Sequence, residues 1–248
     1  MAPGAESVRA ANDRSQCDLQ RVAVIIPAFN EERPLGTLLP MLRELRLGQV
    51  VVADNGSTDR TAEVVRAHGF DVVSEPRRGY GAACARGIEA VDESPDIIVF
   101  LDADLADDPT VMGALVEPIA ADHADLVIGC RDSNRRESGS MTAAQRFGNW
   151  LATRLIRVGW GYRYRDLGPF RAIRRSSLIE MDMRDRAYGW TVEMQVRALQ
   201  MGLRIEQVAV PYRRRLGVSK ISGTFRGVIL AGYYILTTIA RLYFGRRV

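Results

Sequence analysis

Lysine is nearly absent from this chain: among its 34 Lys and Arg residues, Lys220 is the single lysine. Cysteine and histidine are also scarce, at Cys17, Cys84 and Cys130 and at His68 and His123. An odd number of widely spaced cysteines excludes a disulfide framework, and no spacing suits zinc. The cysteines read as reduced structural thiols and the histidines as surface positions without chemistry. Long hydrophobic runs are missing too. The uncharged segment 227–240 is shorter than the ~20 residues a spanning helix needs. There is no internal repeat, no low-complexity stretch and no nucleic-acid-binding motif. Residues 1–20 are polar and lack the apolar core of a secretory signal, so they are expected to form a mobile tail.

What is present is an ordinary globular balance, 47% hydrophobic and 26% charged over 248 residues. That length supports the core of one large α/β domain. The net charge of +4 is modest, but the charge is unevenly spread. Acids cluster in DNGSTD, DESPD and DADLADD in the first half. Arginines gather later, at Arg131, Arg135, Arg136, Arg174, Arg175 and Arg213 to Arg215. An acidic first half and a basic second half suggest a metal-binding centre and an anionic partner.

Hydrophobic patterning gives strands at 22–27, 50–53, 71–74, 97–101 and 125–129, each a short continuous apolar run. Between them, Leu35, Leu38, Leu39, Leu42 and Leu45 have helical spacing. Thr58 or Asp59 can cap a second helix, Gly79 opens a third and Pro109 a fourth. Such alternation argues a mostly parallel sheet covered by helices on both faces. Ligands of such sheets bind beyond the carboxyl ends of the strands. The polar clusters at Asn30-Glu31, Asp54 to Asp59 and Asp102 to Asp108 all follow strands and should share one crevice. The second half reads as a helix over 142–158, a loop through GWGYRYRDLGPFR, a helix over 190–201 and a strand over 203–210. One domain, 21–225, is expected, followed by an amphipathic helix over 226–248.

Asp102-Ala103-Asp104 places two carboxylates just after a buried strand. Hard oxygen ligands suit Mg²⁺ or Mn²⁺, which also bind diphosphates. VIIPAFNEE, VVADNGSTDRT, RRGYGAACARG, VFLDADL, VIGCR and RRRLGVSK occur in an order that resembles the family 2 glycosyltransferases of the GT-A fold, over roughly residues 20–225. The dolichol- and polyprenyl-phosphate hexose synthases are the nearest likeness. The resemblance implies donor-binding roles for Pro27, Ala28, Asn30, Glu31, Asp54, Gly79, Gly81, Asp102 and Ala103, with Asp54 reading the base. It implies metal ligation by Asp102 and Asp104. Where those synthases carry a metal-binding Gln, this chain has Ala106, followed by Asp107 and Asp108. A downstream Asp or water would fill that place.

The same resemblance gives Arg131 and Arg146 as holders of an acceptor phosphate. Arg213, Arg215 and Lys220 read as a basic loop on the donor diphosphate or the acceptor phosphate, since guanidinium forks suit phosphate. Asp166 and Glu193 are the carboxylates available as a general base. A hydroxyl acceptor would need one, whereas a phosphate acceptor, largely dianionic at neutral pH, would not. The expected activity is inverting transfer of a hexose from UDP-glucose or GDP-mannose to a polyprenyl phosphate. A soluble hydroxyl or glycan acceptor, or a nucleotide-sugar-binding subunit, are the alternatives. The segment 227–240, bracketed by Arg226 and Arg241 and carrying Tyr233, Tyr234, Tyr243 and Phe244, is suited to a membrane interface, an oligomer contact or packing on the body. A cytoplasmic protein, peripheral at the inner face of the cell membrane, is the expected location.

Overall fold

The computed structural model describes residues 18–217 and 225–245, without the side chains of 132–135, 225–229 and 231. Within these residues lies a seven-stranded sheet of β1 (Val22–Ala28), β2 (Gln49–Asp54), β3 (Asp71–Ser74), β4 (Ile97–Phe100), β5 (Leu126–Arg136), β6 (Arg171–Arg174) and β7 (Ile205–Tyr212). The order across the sheet is β3-β2-β1-β4-β6-β5-β7. Strands β3, β2, β1 and β4 run parallel, β6 is antiparallel to both its neighbours, and β7 returns parallel to β5. The fold is thus α/β with a mostly parallel sheet.

Period-two alternation divides the core between two faces. Val22, Val24 and Ile26 of β1 face one way, onto α1 (Glu32–Glu44), α2 (Thr61–Ala67) and α4 (Met112–Ala120). Ala23 and Ile25 face the other, onto α3 (Tyr80–Glu89), α5 (Ala143–Trp160) and α7 (Trp190–Gln200). Leu35, Leu38, Leu39 and Leu42 of α1 are completely buried or nearly so. Truncating one of them to alanine would cost about 2–5 kcal/mol. The last helix, α8 (Phe225–Phe244), lies on α5 and α7 and buries Thr238 and Ile239. No helix among the described residues is long and apolar enough to cross a membrane.

Three local departures from the sequence reading have physical causes. Strand β6 and the short helix α6 (Arg175–Glu180) lie in a stretch given no element from the sequence, starting at Arg171 where the expected loop ends. The four residues RAIR are bounded by arginines, which masks the buried Ala172 and Ile173. Strand β5 runs on to Arg136, through a register shift against β7. The second helix begins at Thr61, because Asp59 accepts from the Thr61 amide and hydroxyl and also from the Glu32 amide. One carboxylate thereby closes the starts of α1 and α2 together. Of the expected polar tail over 1–20, residues 1–17 lie outside the described residues, while Leu19–Arg21 form a 3-10 turn capped by Asp18.

Candidate active site

The carboxyl ends of β1, β2 and β4 surround a cavity of ≈ 240 Å³. Pro27, Ala28 and Glu31 line it as expected, with Asp102, Ala103 and Asp104 after β4 and Gly79 before α3. Asn30 and Asp54 stand behind the wall and shape it. Asn30, at φ +55°, accepts from the Thr58 amide, while Asp54 accepts from the Ser57 amide at 3.1 Å. The neighbouring Asn55 reaches the cavity and ties two loops together. Its side chain donates to the carbonyls of Glu75 and Arg77 and accepts from the Gly79 amide.

The glycines of α3 have another partner besides any ligand. Gly79 sits at φ +151°, and a side chain at Gly79 or Gly81 would collide with the backbone of Asp185 and Arg186. The amides of Gly81 and Ala82 donate to the carbonyls of Ala187 and Arg186. The first turn of α3 is therefore occupied by protein backbone rather than left open for phosphate.

The acidic pair sits in the cavity wall. Asp102 accepts from the Tyr80 hydroxyl at 3.1 Å. Burial, and then the like charge of Asp104, push its carboxyl up to about 7. Asp104 is buried, accepts from the Ala106 amide and pairs with Arg215 at 3.0 Å. A half-buried and a buried carboxylate that repel one another in a strand-end turn fit a hard divalent cation.

Of the two downstream acids, Asp108 is committed. It accepts from the Thr110 amide and hydroxyl and pairs with Arg213 at 2.6 Å. Asp107 is buried and neither of its oxygens has a hydrogen-bond partner in the structure. Burial, then the charge of Asp102, raise its carboxyl well above the usual range. Among the described residues, no cluster of three His, Cys, Asp or Glu side chains is placed to hold a metal, so Asp107 does not complete a three-carboxylate site.

A second cavity, of ≈ 400 Å³, opens between α5, α7 and α8. Met141, Phe147, Leu151, Val192, Ile235 and Leu236 give it an apolar lining, and Arg131 stands in its wall. Tyr188 lines both cavities. Arg131 forms a fork with Asp166, Nε to Oδ2 and Nη2 to Oδ1, each at 2.7 Å, and its backbone amide also donates to Oδ2. Both side chains are largely buried, at 11% and 6% exposure.

Several sequence-based roles change on this geometry. Glu193 is completely buried. It accepts from the amides of Arg184 and Asp185 and from Arg197 Nε, so it holds a loop and is not a base facing either cavity. Asp166 is engaged by Arg131. Arg146 is exposed on α5 and lines neither cavity, while Arg213 is spent on Asp108. Arg215 reaches the first cavity, where it pairs with Asp104. Lys220 lies outside the described residues.

Sequence reasoning missed Tyr80, Tyr188, Arg78 and Phe29, although all line the cavity. Arg78 stacks on Phe29 at 3.8 Å. Tyr80 lies inside the RRGYG motif, and its place between two glycines was the available signal. It also missed the buried Arg171, whose guanidinium is held by the carbonyls of Gly168, Pro169 and Thr191.

The description "glycosyl transferase family 2" matches residues 23–182. An uncharacterised glycosyltransferase of Mycobacterium tuberculosis is 35% identical over 212 residues, 85% of this chain and 94% of that protein. A dolichyl-phosphate hexose transferase of Haloferax volcanii is 31% identical over 204 residues, 81% of this chain and 86% of its own length. Among solved structures, glucosyl-3-phosphoglycerate synthase from Mycobacterium tuberculosis, in complex with Mn²⁺, UDP-glucose and phosphoglyceric acid, superposes with a TM-score of 0.73. It is 22% identical and covers 98% of this chain and 85% of the synthase. That likeness is one of fold. The chain belongs to glycosyl transferase family 2.

Proposed function

We propose that this chain transfers a hexose from a nucleotide-diphosphate sugar, UDP-glucose or GDP-mannose, to the phosphate of a polyprenyl phosphate, with inversion at the anomeric carbon. The observation that carries this reading is the apolar cavity beside the donor cavity, with Tyr188 shared between them and Arg131 in its wall. A prenyl chain is the acceptor such a lining rewards, at about 0.8 kcal/mol for each buried CH₂. The name of the Haloferax volcanii relative, a dolichyl-phosphate hexose transferase, is in keeping with it.

The state of the candidate bases supports the same acceptor. A hydroxyl nucleophile needs a free, positioned carboxylate. Asp166 is forked to Arg131 and Glu193 is enclosed by three donors. A phosphate oxygen, already anionic, attacks without proton removal. Arg131 uses Nε and Nη2 on Asp166, which leaves Nη1 as the edge a phosphate would meet. Pairing with Asp166 fixes that guanidinium before the acceptor arrives, so little side-chain entropy is lost on binding.

On the donor side, Asp102 and Asp104 would hold Mg²⁺ or Mn²⁺. When bound, such an ion screens the diphosphate and stabilises charge on the departing nucleotide. Asp54 and Asn55 shape the loop beside which the base would lie. Arg215, now paired with Asp104, adds a positive charge to the same wall. Exposed Phe147, Trp150 and Val158 on α5, and Leu230, Tyr233 and Phe244 on α8, form an outer apolar face near Arg154, Arg157 and Arg241. Such a face suits peripheral seating on the membrane that holds the acceptor.

The test is turnover of UDP-glucose and GDP-mannose with Mn²⁺ and a short polyprenyl phosphate, followed as nucleotide release and as lipid-linked sugar. A lipid product that disappears in Asp104→Ala is the expected result. Metal-dependent nucleotide release with a soluble acceptor, and no lipid product, would overturn the acceptor assignment.

A further inference from the structure

The C-terminal helix is connected to the acidic pair by a series of hydrogen bonds, buried at the α8 end and part-buried where it reaches Asp102. Thr238, on the inner side of α8, donates to Asp185 Oδ2 at 3.0 Å, and both residues are buried. Arg241, one turn further along α8, comes within 3.8 Å of the same oxygen. The other oxygen, Oδ1, accepts from the amides of Ala187 at 2.8 Å and Gly189 at 3.1 Å. Glu193 secures the loop from beneath through the amides of Arg184 and Asp185. On its far side the same loop meets the first turn of α3, where the carbonyls of Arg186 and Ala187 accept from the amides of Ala82 and Gly81. Tyr80, the first residue of α3, donates to Asp102.

The bonds to Asp185 from Thr238 and Gly189 are buried, and lengthening either would leave a polar group unpaired inside the protein. Gly79 and Gly81 admit the loop against α3 with no side chain between, so the contact is backbone on backbone. A shift of α8 must then be taken up by the loop, by α3 or by the Tyr80 hydroxyl. Tyr188 ends the loop, meets Tyr234 of α8 edge-on at 6.1 Å and lines both cavities.

We infer that Asp185 is a positioning residue that ties the seating of α8 to the Asp102 carboxylate, making the C-terminal helix part of the donor site. This rests on Asp102 and Asp104 being the donor-binding and metal-binding pair. A helix that also covers the apolar cavity would thereby relay its position to the place where the nucleotide-sugar is held.

The experiment measures Mn²⁺ affinity in the presence of UDP or GDP, by the electron paramagnetic resonance of free Mn²⁺, on the full chain. Thr238→Val removes the donor at nearly constant volume and is expected to weaken binding about fivefold, the worth of one buried hydrogen bond. Thr238→Ser should restore it. Tyr80→Phe should weaken binding to a similar extent, and the Thr238→Val/Tyr80→Phe double variant should fall short of the product of the two, because they lie on one network. Asp185→Asn gives a second route to the same effect should Thr238→Val fold poorly, with circular dichroism reporting folding. Parent-like binding by Thr238→Val and Asp185→Asn, or effects that multiply in full, would overturn the inference alone. A parent protein that binds no Mn²⁺ with either nucleotide would overturn the reading of the acidic pair, and this inference with it.

Discussion

The two cavities meet at Tyr188 but are built from opposite materials. The first cavity is made largely of strand ends: backbone turns, three carboxylates and an Asn that ties two loops, nearly all from the first 104 residues. The second cavity is made mainly of helix side chains from α5, α7 and α8, residues far apart in the chain, with Arg131, Met141, Leu167 and Tyr188 completing it. Strand ends of a parallel sheet are held by ladders on both sides and position charge rigidly. Helix faces offer volume and apolar surface, but their polar groups need individual partners. On the proposed function, the first cavity would orient a charged donor and the second would receive a long apolar acceptor.

That contrast can be sharpened by substitutions on either side. The largest effect is expected at the strand ends: Asp104→Ala should lower kcat/KM with Mn²⁺ about a thousandfold or more while leaving circular dichroism unchanged. At the boundary, Arg131→Ala strands Asp166 in a buried place and should cost about 3–5 kcal/mol in denaturant unfolding. Part of that loss should return in the Arg131→Ala/Asp166→Ala double variant. Within the helical cavity, Ile235→Trp fills the space, so KM for a polyprenyl phosphate should rise about tenfold while slow donor hydrolysis holds steady. On the outer face, Trp150→Ser with Val158→Ser should weaken sedimentation with anionic vesicles several-fold and leave melting nearly unaltered.

The smallest effect concerns acid stability, away from both cavities. The Arg204 guanidinium, through hydrogen bonds to Asp125, holds that carboxyl below the usual range, and Arg174 adds to it. A depressed carboxyl stabilises the fold in full above about pH 4 and loses that contribution as pH falls through its folded value. Asp125→Asn should therefore differ from the parent at neutral pH and approach it in acid, as read from melting temperature against pH.

The legibility of the sequence follows the same division. Strands β1, β2 and β4 were readable because they are unbroken apolar runs buried on both faces, and Asp102 and Asp104 because they follow one. Strand β6 was hidden by its arginines. Glu193 read as an available general base because Gly189 to Glu193 resembles an acidic site motif, yet it is completely buried and holds three donors. Gly79 and Gly81 pointed correctly to a close approach, but what approaches is the 185–187 backbone, supplied from a hundred residues later. Asp107 and Asp108 were indistinguishable in the sequence. Only the fold commits one to Thr110 and Arg213 and leaves the other without a partner.

The measurement that bears most directly on the central claim is photolabelling with a polyprenyl phosphate that carries a photoreactive group in its first isoprene units, in the presence of UDP or GDP and Mn²⁺. Mass spectrometry should find the label on Leu151, Val192 or Ile235, in the wall shared by α5, α7 and α8, and unlabelled polyprenyl phosphate should protect those sites. Label confined to the outer faces of α5 and α8, undiminished by competitor, would contradict a lipid acceptor in that cavity.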